Sequence, residues 1–241
     1  MVRTDDELPA WLNTLRDTLS DPGTPYRFTQ QERRPAAVLI LFGEGADGPD
    51  LLFIERSSLL RSHPGQMAFP GGGFEPDDHD LAATALREAH EETGLDPDGV
   101  DVFGELATIE VPISGYRVTP ELGWWRRPSP VTAADPGEVA SVHRIPIAEL
   151  TEPANRFAMT HPSGRIGPGF LIGDLLIWGL TAHMVNGVLS RGGWQRPWDR
   201  HRTMAVPQRY LGRPENTDPG PDVVDDREDD LELAEEQPDD R

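Results

Sequence analysis

The sequence predicts an α/β fold, with helices on both faces of a mixed sheet, and three observations carry that reading. Apolar runs of strand length alternate along the chain with stretches whose apolar residues recur at helical spacing. Segments rich in Gly, Pro, Asp and Ser separate them, as connections between such elements require. The 241 residues suffice for one domain with a substantial core, plus additions at either end.

Taken in order, Trp11, Leu12, Leu15 and Leu19 share one helical face, so a short amphipathic helix is expected before Pro22 and Gly23. Ala36–Phe42 and Leu51–Ile54 are apolar throughout and read as buried strands joined by a turn over Gly43–Pro49. An irregular stretch, Arg56–Glu75, leads into a helical pattern over Asp80–Thr93 that Gly94 would stop as a C-terminal cap. Val100–Val111 and Val139–Ile147 suggest further strands. A second helix over Asp174–Leu189 would bury Ile177, Leu180, Met184 and Val188. The expected organisation is an N-terminal helix and linker over 1–34, a catalytic domain over 35–192, and a Pro-rich, acidic, largely disordered tail over 193–241.

The charge is uneven. Of a net −20, the span Glu215–Arg241 carries −11 (13 Asp and Glu against two Arg), leaving −9 on the body. An acidic body argues against nucleic acid as partner, because that interaction runs on Lys and Arg neutralising phosphate. A phosphate-bearing small molecule stays compatible, since a divalent cation bridges carboxylates to phosphate oxygens. The absence of cysteine removes disulfides, thiol nucleophiles and thiolate metal sites, and fits a cytoplasmic location. The most apolar window, Phe170–Leu189, contains Asp174, His183 and Asn186, which are expensive in hydrocarbon, so no membrane span is expected.

The chemistry concentrates in Arg87-Glu88-Ala89-His90-Glu91-Glu92-Thr93-Gly94-Leu95. At about 100° per residue, Glu92 falls roughly 40° to one side of Glu88 and Glu91 roughly 60° to the other, so three carboxylates share a narrow face. Ala82, Ala85, Leu86 and Ala89 form a separate stripe suited to close docking on a sheet. Carboxylates at i and i+4 can grip one hard cation, and a third at i+3 can hold a second. Arg87 stands four residues before Glu91, at ion-pair spacing, where it would orient a carboxylate and offset repulsion. His90 falls on the other side of the helix and reads as a non-ligand. Upstream, Phe69-Pro70-Gly71-Gly72-Gly73 is a turn whose amides can approach phosphate and whose carbonyls can approach metal. No Gly-Lys-Ser/Thr follows, so it is not a Walker loop.

Turn and helix together resemble the Nudix box, G-x5-E-x7-R-E-U-x-E-E-x-G-U, where U is aliphatic. Arg87, Glu88, Ala89, Glu91, Glu92, Gly94 and Leu95 match its second half. The first half departs: counting back from Arg87 puts Gly73 and His79 at the Gly and first Glu positions. One extra residue would place Gly72 and Asp78 there instead, which keeps an acid at a position usually structural. A second stretch, Leu51-Leu52-Phe53 and then Ser57-x3-Arg61-x3-Gly65-x3-Phe69-Pro70-Gly71-Gly72, is similar to the signature upstream of the box in coenzyme A diphosphatases, with Phe53 in place of Thr. Val118-Thr119-Pro120, Glu138-Val139 and Ile177-Trp178-Gly179 are further echoes.

The resemblance implies the Nudix α/β/α sandwich, dependence on Mg2+ or Mn2+, and hydrolysis of CoA or its derivatives to 4'-phosphopantetheine and 3',5'-ADP. ADP-ribose or a dinucleotide is the alternative substrate class, and a binding module without turnover the alternative function. Glu88 and Glu92 are the expected principal metal ligands, and Glu91 a third ligand or water-orienting group. Arg87 and Glu138 complete the expected catalytic set, Glu138 as an acid from a later loop. Arg61, Gly65, Phe69, Gly71 and Gly72 are the expected substrate-binding residues, with His63 structural or substrate-facing. Neither the base nor the oligomeric state is assigned.

Overall fold

A computed structural model describes residues 8–19, 34–60, 62–111 and 115–211. After a single 3-10 turn, helix α1 spans Asn13–Leu19; strands β1 (Arg34–Gly45) and β2 (Gly48–Arg56) follow, then the short β3 (Met67–Ala68) and β4 (Gly71–Gly73). Helix α2 (Leu81–Thr93) precedes β5 (Val100–Glu105), β6 (Ile109–Val111), β7 (Tyr116–Trp125) and β8 (Val139–Pro146). The chain continues through α3 (Ile147–Thr151), β9 (Arg156–Thr160), β10 (Ile166–Ile172), β11 (Leu175–Ile177), α4 (Gly179–Arg191) and β12 (Thr203–Ala205).

β1 lies at the centre because it is apolar on both faces: Leu39, Ile40, Leu41 and Phe42 are all fully buried. It pairs antiparallel with β2 and β4 and parallel with β7, which makes the sheet mixed. β8 extends it beyond β2, and β5 and β6 beyond β7. Ile40 and Phe42 face a core built with Leu12 and Leu15 from the N-terminal segment, Leu150 of α3 and Val185, Val188 and Leu189 of α4. Leu39 and Leu41 face the other side, where Ala85 and Ala89 of α2 seat against them. One sheet between two helical layers is the expected α/β/α arrangement. No helix among the described residues is long and apolar enough to cross a membrane.

Several elements differ from expectation. β1 and β2 run through the anticipated Gly43–Pro49 turn and meet at Gly45 and Gly48, leaving a two-residue connection. Val100–Val111 is two strands. β7, partner of β1 over nine residue pairs, carries Pro120 and two charged residues in its length, which hid it from pattern reading. The helix expected from Asp174 begins at Gly179: Gly173, at φ 58, turns the chain so that Leu175–Ile177 pair antiparallel with Phe170–Ile172.

The 193–241 tail needs the larger correction. Trp194 packs against the core, β12 adds to β9 as a parallel strand, and Trp198 covers Arg156. The Arg156 guanidinium is fully buried between the rings of Phe170 and Trp198, 4.8 and 4.9 Å from their centroids, and donates to Asn186. Burial, with Arg200 nearby, lowers its pKa to about 10. Residues 193–211 therefore belong to the packed body. The acidic remainder, like the 20–33 linker, lies outside the described residues.

Candidate active site on helix α2

α2 is held at both ends by its own sequence. The Asp80 carboxylate accepts from the Ala83 N–H at 2.8 Å, capping the first turn, and Gly94 closes the last turn at φ 70, a left-handed conformation open to glycine. Ala85 and Ala89 bring the helix close to β1, and that fixed seat sets where its carboxylates point.

Glu92 is 6% exposed and Glu88 half-buried, and both face the glycine turn. The Gly71 N–H donates to Glu92 Oε2 at 3.0 Å. A Cβ on Gly72 would stand 2.4 Å from Glu88 Oε1, and one on Gly71 would stand 2.3 Å from the Ala37 carbonyl oxygen. The two glycines thus let backbone approach carboxylates on one side and β1 on the other, a closeness no other residue permits. The Gly71 amide is committed to Glu92, so the expected contact of that amide with substrate is not what this geometry shows.

Arg87 organises the carboxylates. Its Nε and Nη2 donate to the two oxygens of Asp78 at 3.0 and 3.2 Å, Nη2 also to the Gly73 carbonyl at 3.0 Å, and Nη1 to Glu88 and Glu91 at 3.1 and 3.0 Å. Asp78 is in turn bonded by the Glu75 N–H and the Thr84 hydroxyl, whereas His79 points to solvent at 83% side-chain exposure. Of the two ways of aligning the first half of the box, the structure realises the one with an extra residue, and Asp78 is the acid that pins Arg87. The Arg87 guanidinium holds the Asp78 carboxyl well below the usual carboxylate range, and Asp78 raises Arg87 in return.

Burial pushes Glu92 up to about 7, the Gly71 amide and Arg56 opposing it while Glu88 and Glu138 add to it. Glu88 is raised chiefly by burial, against the pull of Arg87. Two polar groups from outside the helix therefore act here. Glu138, on the exposed loop before β8, projects its charge on both Glu88 and Glu92. Arg56, at the end of β2, sits within electrostatic reach of Glu92, and its Nε is buried with no hydrogen-bond partner among the described residues. Arg56 was not among the residues singled out from the sequence, although it stands inside the coenzyme A-type signature, between Phe53 and Ser57.

The remaining candidates divide. Glu91 is 55% exposed and turned to Arg87, apart from the buried pair. Gly65, at φ 67, forms the turn that returns the chain to β2, its N–H donating to the Arg56 carbonyl. Phe69 corrects an expectation: it is buried and stacked on Phe53 at 4.7 Å, a core residue and not a substrate contact. His63 is exposed, in a left-handed turn at φ 55, and His90 bonds the Leu95 carbonyl, away from the carboxylates. Arg61 lies outside the described residues.

In kind, the donor set suits a hard divalent cation, for it offers carboxylate oxygens at i and i+4 and no nitrogen or sulfur ligand. No three His, Asp or Glu side chains among the described residues converge as a closed cage. Glu88 and Glu92 are instead occupied by Arg87 and the Gly71 amide, so a cation would take two oxygens from α2 and complete its shell with backbone or water.

Residues 32–165, more than half of the chain, match the NUDIX domain. A protein from Yersinia pestis (strain Pestoides F) named "Uncharacterized Nudix hydrolase NudL" is 36% identical over 188 residues, covering 76% of this chain and 93% of its own. One of the same name from Citrobacter koseri is 39% identical over 160 residues, 64% of this chain and 80% of the relative. Among solved structures, a Nudix hydrolase from M. Smegmatis, RenU, shares 18% identity with a TM-score of 0.45 over 70% of this chain and 91% of its own, a likeness too loose to add to the assignment. The family model and the long relative alignment agree with the box on α2: this chain belongs to the Nudix family, whose hydrolases act on nucleoside diphosphate derivatives with divalent cations.

Proposed function

We propose that this site hydrolyses the diphosphate linkage of coenzyme A or its derivatives, giving 4'-phosphopantetheine and 3',5'-ADP, with Mg2+ or Mn2+ held by Glu88 and Glu92. The observation that supports it is how the signature segment is tied to the carboxylates. The Ser57 N–H donates to the Glu138 carbonyl at 2.7 Å, the Gly65 N–H returns to Arg56, and the segment ends in the glycines that hold Glu92. A loop anchored at both ends beside the metal ligands suits reading the part of a substrate that extends past its diphosphate.

A diphosphate resists attack because its charge repels the nucleophile. A bound cation would neutralise that charge and acidify water. Arg56 has donors to spare for a phosphate oxygen, and its planar fork suits that partner. Arg87 fixes Glu88 and Glu91 and keeps the helix carboxylates from springing apart. Glu138 is exposed, acts electrostatically on both Glu88 and Glu92, and makes no side-chain hydrogen bond among the described residues, which supports it as the carboxylate that accepts a proton from water. The test is kcat/KM with Mg2+ or Mn2+ across CoA, ADP-ribose and NADH, with CoA expected to lead. A preference for ADP-ribose or NADH overturns the substrate and leaves the hydrolase. Binding without turnover of any of the three would make the chain a binding module.

A further inference from the structure

A cavity of about 510 Å³ opens on the other flank of α2, between its first turn and strands β5 and β7. Pro35, Phe74, Leu81 and Ala82 give it apolar walls, and its polar groups are Asp80, Glu105 and Glu121. Glu105 and Glu121 stand directly opposite each other on β5 and β7. Along α2, Leu81 and Ala82 precede Glu88 and Glu92 by about two and three turns, so neither carboxylate lines this cavity, although Phe74 directly follows Gly73 of the glycine turn.

Glu121 is the anomaly. It is 5% exposed, it lines the cavity, and it has no hydrogen bond or ion pair among the described residues. Its oxygens are not fully enclosed but reach the cavity, where a carboxylate with room for several donors meets none from the described residues. Like charges directly opposite on neighbouring strands repel, which makes the Glu105–Glu121 pair unfavourable for the sheet itself. Burial, then Glu105 and Asp80, push Glu121 up to about 7. No basic residue lines the cavity, so its field excludes phosphates. The positive end of α2 does not offset this field, because Asp80 already caps it. No metal cage of three or more such ligands exists here either, among the described residues.

We propose that this cavity is a second binding site, taking an organic cation that joins several N–H donors to a short apolar body, of the guanidine or alkylamine class. The donors would bridge Glu121 and Glu105, and the apolar body would lie against Phe74 and Leu81. The proposal rests on the cavity and not on the coenzyme A reading.

Calorimetric titration of the full chain with agmatine, a guanidine and an amine on a short aliphatic chain, tests it. Wild type is expected to bind, and Glu121→Gln to bind at least about tenfold more weakly, since a charge-assisted contact becomes neutral. Ala82→Phe, which fills the cavity and keeps Glu121, is expected to weaken binding as well and covers the case in which Glu121→Gln misfolds. Diphosphate hydrolysis should be unchanged in both variants without agmatine. No heat with wild type up to about 10 mM, or equal affinity in wild type and both variants, overturns the proposal.

Discussion

Glu121 offers a test of the electrostatics that needs no ligand. Its folded pKa, about 7, lies above the ordinary 4.5. The native protein therefore keeps this proton to a higher pH than the unfolded chain does. As pH rises from about 4.5 to 7 the unfolded state ionises first, and Glu121 progressively destabilises the fold; the full penalty is present above 7. At about 1.4 kcal/mol for each pH unit, the displacement amounts to roughly 3 kcal/mol at most. Glu121→Gln removes the charge and keeps the shape. In urea unfolding of metal-free protein, the variant should match wild type within about 1 kcal/mol at pH 5 and exceed it by roughly 1–3 kcal/mol at pH 8. Groups not coupled to Glu121 titrate alike in both proteins and cancel in the difference. A difference that does not change with pH, or a variant that loses stability relative to wild type as pH rises, would refute the reasoning. The second outcome would mean that the carboxylate is held by a cation.

Other perturbations separate the roles assigned here. Asp78→Asn should cost about 2–4 kcal/mol in urea unfolding, because it removes the charge and one of the two acceptors that face the half-buried Arg87 guanidinium, whereas His79→Ala should cost almost nothing; equal effects would mean that Asp78 is not the acid that pins Arg87. Arg61→Ala should lower kcat/KM for CoA by about tenfold to a hundredfold while a non-CoA diphosphate loses much less; equal losses would make Arg61 a general phosphate or structural residue. Ending the chain after Gly192 removes Trp194, β12 and Trp198 and should lower the melting temperature by several degrees or more, whereas ending it after Pro214 should leave it nearly unchanged; a large drop in the second case would show that the acidic span docks on the body.

What the sequence displayed and what it concealed follow from the range of the interactions. α2 was legible to its caps, because a helix writes its stripe, its stop and its charged face in neighbouring residues. Strand cores such as Leu39–Phe42 were legible too, being apolar on both faces. β7 was not, since Pro120 and Glu121 break the apolar pattern in a strand defined by β1 beside it. The stretch from 193 looked like loose tail because its packing is made by single aromatic residues that land on Trp11, Phe42 and Arg156 and by the three-residue strand β12. In the site, Glu88, Glu91, Glu92 and Arg87 were evident as a cluster and the four-residue spacing already pointed to the Arg87–Glu91 pair, yet spacing alone could not show that Glu91 stays exposed while Glu88 and Glu92 turn to the glycines. Phe69 was misplaced because a motif records which residues recur and not which way they face. The contributions of Arg56 and Glu138 to Glu92 arise from β2 and the loop before β8 meeting at one place, which no local pattern encodes.

The proposed hydrolysis depends on Glu88 and Glu92 holding a divalent cation at the glycine turn. Glu92→Gln keeps the side chain's shape and its bond from the Gly71 amide and removes one ligand charge. The direct measurement is Mg2+-dependent CoA hydrolysis, with Mg2+ affinity, in wild type and Glu92→Gln of matched folding. Loss of about a hundredfold or more in kcat, with weakened Mg2+ binding, is the predicted result. Near-wild-type turnover with undiminished Mg2+ affinity would contradict it.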